Sequence, residues 1–273
     1  MAEHTILVLG ATGTTGRRVT GLLRASGHAV LRASRSGETT FDWSRPDTWE
    51  PAVAGVSRIY LMAPDGTPVA PEFVSLAVER GVRRIVLLSS GAIEAMGDER
   101  LMSAERTVRD SGAEWTVLRP SWFDQNFDEG FLQPAIMAGE VVVPMGEARQ
   151  AFVDAGDIAA VAAAALTEDG HAGRSYEVTG PRSLTFGEAV EVIARAAGRE
   201  VRYRGGDEDY LAAMDISEQA MGEVKAFAAL RDLGDQPVSE TVRQVTGRPP
   251  KPFETYATKA AAQGAWRPGG SPP

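Results

Sequence analysis

Gly10-Ala-Thr-Gly13-Thr-Thr-Gly16 follows the apolar run Ile6-Leu7-Val8-Leu9 and precedes a helical pattern that starts near Arg17. The order strand, glycine turn, helix is what a dinucleotide-binding βαβ unit requires. Gly10 permits the tight turn, Gly13 lets the backbone approach a pyrophosphate, and Gly16 lets the helix pack close to the strand. The anion then rests on N–H groups at the helix N-terminus. Thr12, Thr14 and Thr15 fall within the same cradle. The alternative is a glycine turn that binds nothing.

Outward from this turn, strand and helix patterns alternate. Strands are expected at Thr5–Leu9, Ala29–Ala33, Arg58–Met62, Arg84–Ser89 and Trp115–Leu118, and helices at Thr14–Ser26, Pro71–Arg80 and Glu99–Ser111. Gly27, Gly81 and Gly112 stop the helices. The strands are apolar without alternation, which suits burial on both faces of a parallel sheet. The fold class expected is a Rossmann-type, doubly wound α/β sheet with a small C-terminal α/β lobe.

Beyond Arg119 the pattern loosens. Val141–Val143, Ser175–Val178 and Val201–Arg204 are expected strands, and Asp157–Leu166 an alanine-rich helix. Thr185 and Glu188 form a capping box for a helix to Ala197. Residues Asp207–Val245 read as helical with breaks. Residues 1–134 with 151–180 are assigned to the cofactor domain, and 135–150 with 181–267 to a substrate lobe. The Pro/Gly/Ser-rich 268–273 is expected to be a disordered tail.

A formal charge of −9 over 273 residues argues against a phosphate-coating nucleic-acid binder. The chain has no cysteine, and its three histidines are scattered, so no metal motif is present. No apolar run reaches the ~18 residues of a membrane span. With no basic leader, the chain reads as cytoplasmic. A small-molecule substrate is the expected partner, and a homodimer is compatible with this reading.

The second strand identifies the cofactor. An acid ~20 residues past the glycines holds the ribose of NAD. Here the stretch is Leu31-Arg32-Ala33-Ser34-Arg35-Ser36, with two arginines and no acid. Guanidinium forks suit a 2′-phosphate, so NADP(H) is expected, held by Arg32, Ser34 and Arg35. Asp42 either meets the adenine amino group or is an ordinary surface carboxylate.

Several segments resemble the NmrA-like atypical short-chain dehydrogenases. They are the GxxGxxG turn, Arg32–Ser36, Leu87-Leu-Ser-Ser90-Gly91-Ala92, Trp115–Phe127 and Phe152-Val-Asp154-Ala-Gly-Asp157-Ile-Ala159. Val245-Thr-Gly-Arg-Pro-Pro250 followed by Phe253 resembles the festuclavine dehydrogenase subgroup. The resemblance implies that Ser89, Ser90 and Gly91 lie near the nicotinamide. It also implies that Pro120 and Phe123 line its face, and that Ala63 and Pro64 pass over the ribose. Members of the family reduce quinones, imines or carbon–carbon double bonds, or bind NADP as sensors.

The usual Tyr-x-x-x-Lys pair of such enzymes is absent: no tyrosine lies between Tyr60 and Tyr176, and the first lysine is Lys225. Either the chain is a reductase whose acceptor needs no strong acid, or it senses NADP(H); a non-redox catalyst is the remaining option. Trp122, Phe127 and Phe131 either cover the substrate or form lobe core. Ser90 and Asp124 are the candidate catalytic groups. A carboxylate at Asp124 could pair with a cationic substrate or donate a proton, unless it points outward.

Overall fold

The computed structural model describes residues 4–214 and 217–267; the expected tail at 268–273 lies outside them. Strands β1 (Thr5–Leu9), β2 (Ala29–Ser34), β3 (Thr39–Thr40), β4 (Arg58–Leu61), β5 (Arg84–Leu88), β6 (Glu114–Pro120) and β8 (Arg174–Val178) form one sheet. Its order is β3-β2-β1-β4-β5-β6-β8, and every pairing is parallel. The winding reverses between β1 and β4. That reversal opens a crevice at the carboxyl ends of the strands, where Gly10 follows β1.

Both faces of the sheet are buried. Leu7, Leu9 and Ile59 face α2 (Trp49–Val53), α3 (Pro71–Glu79) and α5 (Glu99–Arg109) through Val53, Phe73 and Val108. Ile6, Val8 and Tyr60 face α1 (Thr14–Ala25) and α7 (Ala155–Thr167) through Val19, Leu23 and Ile158. The alanines of α7 at 159, 162 and 165 are fully buried, and their small side chains let α1 lie close.

The smaller lobe is built on a parallel pair, β7 (Glu140–Val142) with β9 (Arg202–Arg204). Around it stand α4 (Ile93–Met96), α6 (Gln133–Ala138), α8 (Phe186–Ala197), α9 (Asp207–Ala213) and α10 (Glu218–Asp232). The capping box of α8 forms as expected, Thr185 Oγ1 accepting from Glu188 N and Glu188 Oε2 from Thr185 N, both at 3.0 Å. Phe127, Phe152, Phe186 and Phe253 meet at 5.0 to 6.1 Å between centroids, largely edge to face.

After α10 the chain returns to the sheet. α11 (Thr241–Thr246) sets Val242 and Val245 against the core on the α7 face. α12 (Phe253–Ala262) was not expected from sequence, because Pro249, Pro250 and Pro252 precede it. Those prolines end just outside it, with Pro252 as N-cap, and Phe253, Tyr256, Ala257 and Ala260 form its buried stripe. The Val245–Phe253 motif is a strap across the start of α7. Arg248 Nη1 donates to Asp157 Oδ1 and Lys251 N to Asp157 Oδ2, each at 2.6 Å. Lys251 Nζ donates to Asp154 Oδ1 at 2.6 Å, while Asp154 caps Gly156 N at 2.8 Å.

Asp157 is 1% exposed, so these donors stand in for the water its oxygens lack. Arg248→Ala is expected to cost about 1–2 kcal/mol, the range for a charge-assisted bond to a half-exposed partner. Urea denaturation checks this, and an unchanged midpoint would show that the strap contributes no stability.

Candidate cofactor and substrate site

The glycine turn has the geometry its spacing requires. Gly10 adopts φ +63°, a left-handed conformation natural to glycine. A Cβ on Gly16 would collide with the Gly10 carbonyl, so only glycine lets α1 start this close to β1. Gly13 is the N-cap of α1, makes no side-chain cap bond, and is followed by no acid in the first turn. The positive end of the helix therefore faces the crevice uncompensated. Thr14 opens α1 and Thr12 is exposed on the turn. Thr15 differs from expectation: its side chain is buried and its Oγ1 accepts a 2.9 Å bond from the Tyr60 hydroxyl. Only its backbone N–H remains for an anion.

Across the crevice, β2 ends at Arg32-Ala-Ser34, with Arg35 exposed just beyond. Arg32 Nε is buried and has no hydrogen-bond partner, so a donor waits unpaired at the position of the ribose acid. Asp42 is held below the ordinary carboxylate range, chiefly by the Ser44 hydroxyl on its Oδ1 at 2.7 Å. The Ser44 backbone N–H, which donates to the same oxygen at 2.9 Å, and the charges of Arg35 and Arg45 act in the same direction, while burial opposes them. Ala63 and Pro64 follow β4, with Ala63 packed on the core.

At the ends of β5 and β6 the two serines have different circumstances. Ser89 Oγ donates to Glu105 Oε1 at 2.6 Å. Glu105 is buried on α5 and also takes Arg119 Nε at 2.8 Å and Arg119 Nη2 at 2.7 Å. Burial alone would raise Glu105, but the bonds from Arg119 and Ser89 outweigh it and hold the carboxyl below its usual range. Ser90 Oγ has only a long 3.4 Å contact to Gly91 O, leaving its hydroxyl free for a ligand. Gly91 N donates to Pro120 O at 3.0 Å, which ties the loop to the end of β6. Ala92 then takes φ 56°, the one left-handed non-glycine among the described residues. Phe123 bridges to Val153 and packs against the α7-face core.

The glycine turn, the unpaired Arg32 Nε and the weakly bonded Ser90 hydroxyl all lie at the carboxyl ends of the strands. Residues 10–169 match the family described as NAD(P)H-binding. The chain belongs to this NAD(P)H-binding family. It is 33% identical to the NAD(P)H azoreductase of Xenophilus azovorans, covering 95% of this chain and 99% of that one. It is also 33% identical to festuclavine synthase I of Penicillium roqueforti, covering 93% and 97%. The structure of NmrA, a negative transcriptional regulator in complex with NADP, superposes with a TM-score of 0.69 at 15% identity over 95% of each chain. The protein is thus an NAD(P)H-dependent oxidoreductase with an NmrA-like fold. No described helix is long and apolar enough to cross a membrane.

Within this NAD(P)H-binding protein two expected substrate contacts fall elsewhere. Phe127 is fully buried among Phe152, Phe186 and Phe253, and its carbonyl accepts from Trp266 Nε1 at 2.8 Å. It is lobe core. Asp124 points neither outward nor into an open cleft: it is 0% exposed and neither carboxylate oxygen has a hydrogen-bond partner. Burial first, then the neighbouring Asp154, holds its carboxyl well above the usual range against the opposing Lys251. A substrate cation has no path to it here. Trp122 and Phe131 do remain accessible, and Phe131 is 61% exposed.

Sequence reasoning passed over Phe227, Gln236 and Glu177. Phe227 stacks on Trp122, with centroids 6.0 Å apart and planes at 8°. Gln236 Oε1 accepts from Ser121 Oγ at 2.6 Å and from Ala151 N at 3.1 Å. All three come from beyond position 170: Phe227 meets Trp122, and Gln236 and Glu177 approach Gly91, where only the register of β8 on β6 brings Glu177.

The state of Asp124 sets a sign. Its folded carboxyl binds a proton more tightly than the unfolded one, so its contribution to stability falls as pH rises above the ordinary 3.8. Asp124→Asn is expected to gain stability relative to the parent as pH rises towards neutrality, followed by urea midpoints across pH. Parallel midpoint curves would mean that the carboxyl titrates normally.

Proposed function

We propose that the chain is a cytoplasmic, NADPH-dependent reductase of a flat hydrophobic acceptor: a quinone, an imine or iminium ion, or an activated alkene. The observation that carries this is the aromatic wall at the exit of β6. Trp122 lies parallel to Phe227 and is flanked by Phe131 at 6.4 Å. It shares its packing with Ala92 and Met96 of the loop and helix that follow Ser90. Parallel rings with an accessible edge favour a planar guest. Relatives named as an azoreductase and a festuclavine synthase support reduction and a role in secondary metabolism.

In this reading residues 1–134 and 151–180 hold the cofactor. Residues 135–150 and 181–267 cover the substrate, apart from α11, which packs on α7. The first turn of α1 holds the pyrophosphate, and Arg32, Ser34 and Arg35 hold the 2′-phosphate. Ala63, Pro64, Pro120, Phe123 and Gly91 flank the ribose and nicotinamide. The bound nicotinamide supplies a hydride. Ser90 orients the acceptor, and the Trp122 wall excludes water. No Tyr–Lys pair takes part: Tyr60 is buried, and burial holds its hydroxyl far above the ordinary range.

NADPH is expected to bind more tightly than NADH, and Arg35→Ala to weaken NADPH by about 1.5–3 kcal/mol while leaving NADH unchanged. Equal calorimetric affinities for the two cofactors in the parent would refute the assignment of the arginines. Following NADPH oxidation against menadione, a cyclic iminium and an enone tests the reductase. Tight NADPH binding with no turnover of any acceptor would replace it with an NADP(H) sensor, the role that NmrA as a regulator brings to mind.

A further inference from the structure

We propose that Glu177 is the proton donor of this reductase, a catalytic role that rests on the reductase reading above. β8 runs parallel to β6 with Glu177 opposite Arg119 and Val178 opposite Pro120, which puts Glu177 at the carboxyl end of the sheet. There its side chain turns toward the β5 loop. A Cβ placed on Gly91 would lie 3.6 Å from Glu177 Oε2 and 3.8 Å from Gln236 Nε2. The carboxylate tip therefore rests against the residue that follows Ser90.

The surroundings leave this carboxyl free for chemistry. The charged groups facing it are Arg119 from β6, Glu94 from α4 and Glu105 from α5. Arg119 is already engaged by Glu105 and by Glu94 Oε1 at 2.6 Å, so it does not form an ion pair with Glu177. Gln236, with its Oε1 held by Ser121 and Ala151, keeps its amide nitrogen turned toward the same loop. Partial desolvation against the β5 loop raises the Glu177 carboxyl; Arg119 opposes this, and Glu94 and Glu105 add to it. The residue as a whole is exposed at the edge strand, so a spent carboxylate regains its proton from water.

The step balances. A hydride, one hydrogen nucleus with two electrons, leaves NADPH for the acceptor and leaves NADP+. With a quinone, an enone or a neutral imine, the negative charge that then develops on oxygen or nitrogen takes the proton from Glu177; an iminium ion becomes a neutral amine and needs no proton. The O–H bond of the carboxyl breaks and a new O–H or N–H bond forms. The sum is NADPH, acceptor and one proton giving NADP+ and reduced acceptor. Asp124, sealed behind the sheet edge, cannot deliver that proton, whereas Glu177 borders the crevice.

The test compares the parent with Glu177→Gln and Glu177→Asp, using menadione as acceptor. Glu177→Gln is expected to lower kcat by about 10²-fold on the acid side of the parent's pH profile, the range for loss of a general acid. The alkaline fall of the kcat profile should vanish, and the Kd for NADPH should stay the same. Glu177→Asp should restore part of kcat and keep the fall. Independently of turnover, carbon-detected NMR of the cofactor-free parent should show one glutamate carboxyl titrating above the ordinary 4.5 that Glu177→Gln removes. An active parent whose pH profile is unchanged in Glu177→Gln overturns the assignment alone, as does a Glu177 resonance at or below the ordinary value. A parent inert with every acceptor overturns the reductase reading and the assignment with it.

Discussion

Everything at the crevice depends on how closely α1 approaches the end of β1. The Gly16 position admits no side chain because the Gly10 carbonyl occupies that space. That contact fixes where the first turn of α1 points, and so where its free N–H groups face. It also seats Val19 and Leu23 on the sheet, against α7. α7 in turn is fastened at its N-terminus by the Arg248–Lys251 strap. A glycine contact and a buried pair of aspartates thus anchor the N-termini of the two helices of one layer. The first is steric and insensitive to salt; the second is electrostatic and partly screened where Arg248 meets water.

The fold was legible in the sequence wherever burial was complete. β1 and β5 are apolar on both faces, and a run such as Ile6-Leu7-Val8-Leu9 has no other stable use in a chain of this composition. The cofactor end was legible for a related reason, because glycines and a missing ribose acid act locally along the chain. α12 was hidden by its prolines, which locally signal loop although they end at its cap. Asp124 was placed in the right segment but in the wrong environment. Its neighbours in sequence are aromatic, whereas its neighbours in space include Asp154, Asp157, Asp128 and Lys251. Glu177 was invisible for the converse reason: nothing within its own strand hints at Gly91, and only strand register joins them.

The two serines show how a few ångströms of hydrogen bonding decide a role that sequence leaves shared. Ser89 spends its hydroxyl on a buried carboxylate that already holds Arg119, and so stiffens the floor of the site. Ser90, one residue on, makes only a long 3.4 Å contact to Gly91 O. Ala92 then accepts a left-handed backbone that costs about 1 kcal/mol or more, a strain tolerated where the loop must turn toward the lobe.

α10 brings Phe227 over Trp122, yet of its fifteen residues only Ala220 and Leu230 are buried. Substitutions on such a helix typically change stability by no more than about 0.5 kcal/mol. The Trp122–Phe227 wall proposed for the acceptor can therefore be rewritten residue by residue while the sheet and glycine turn stay intact. That separation gives the scaffold evolutionary latitude: new acceptor shapes become reachable by changes at the rim, without compensating mutations in the core.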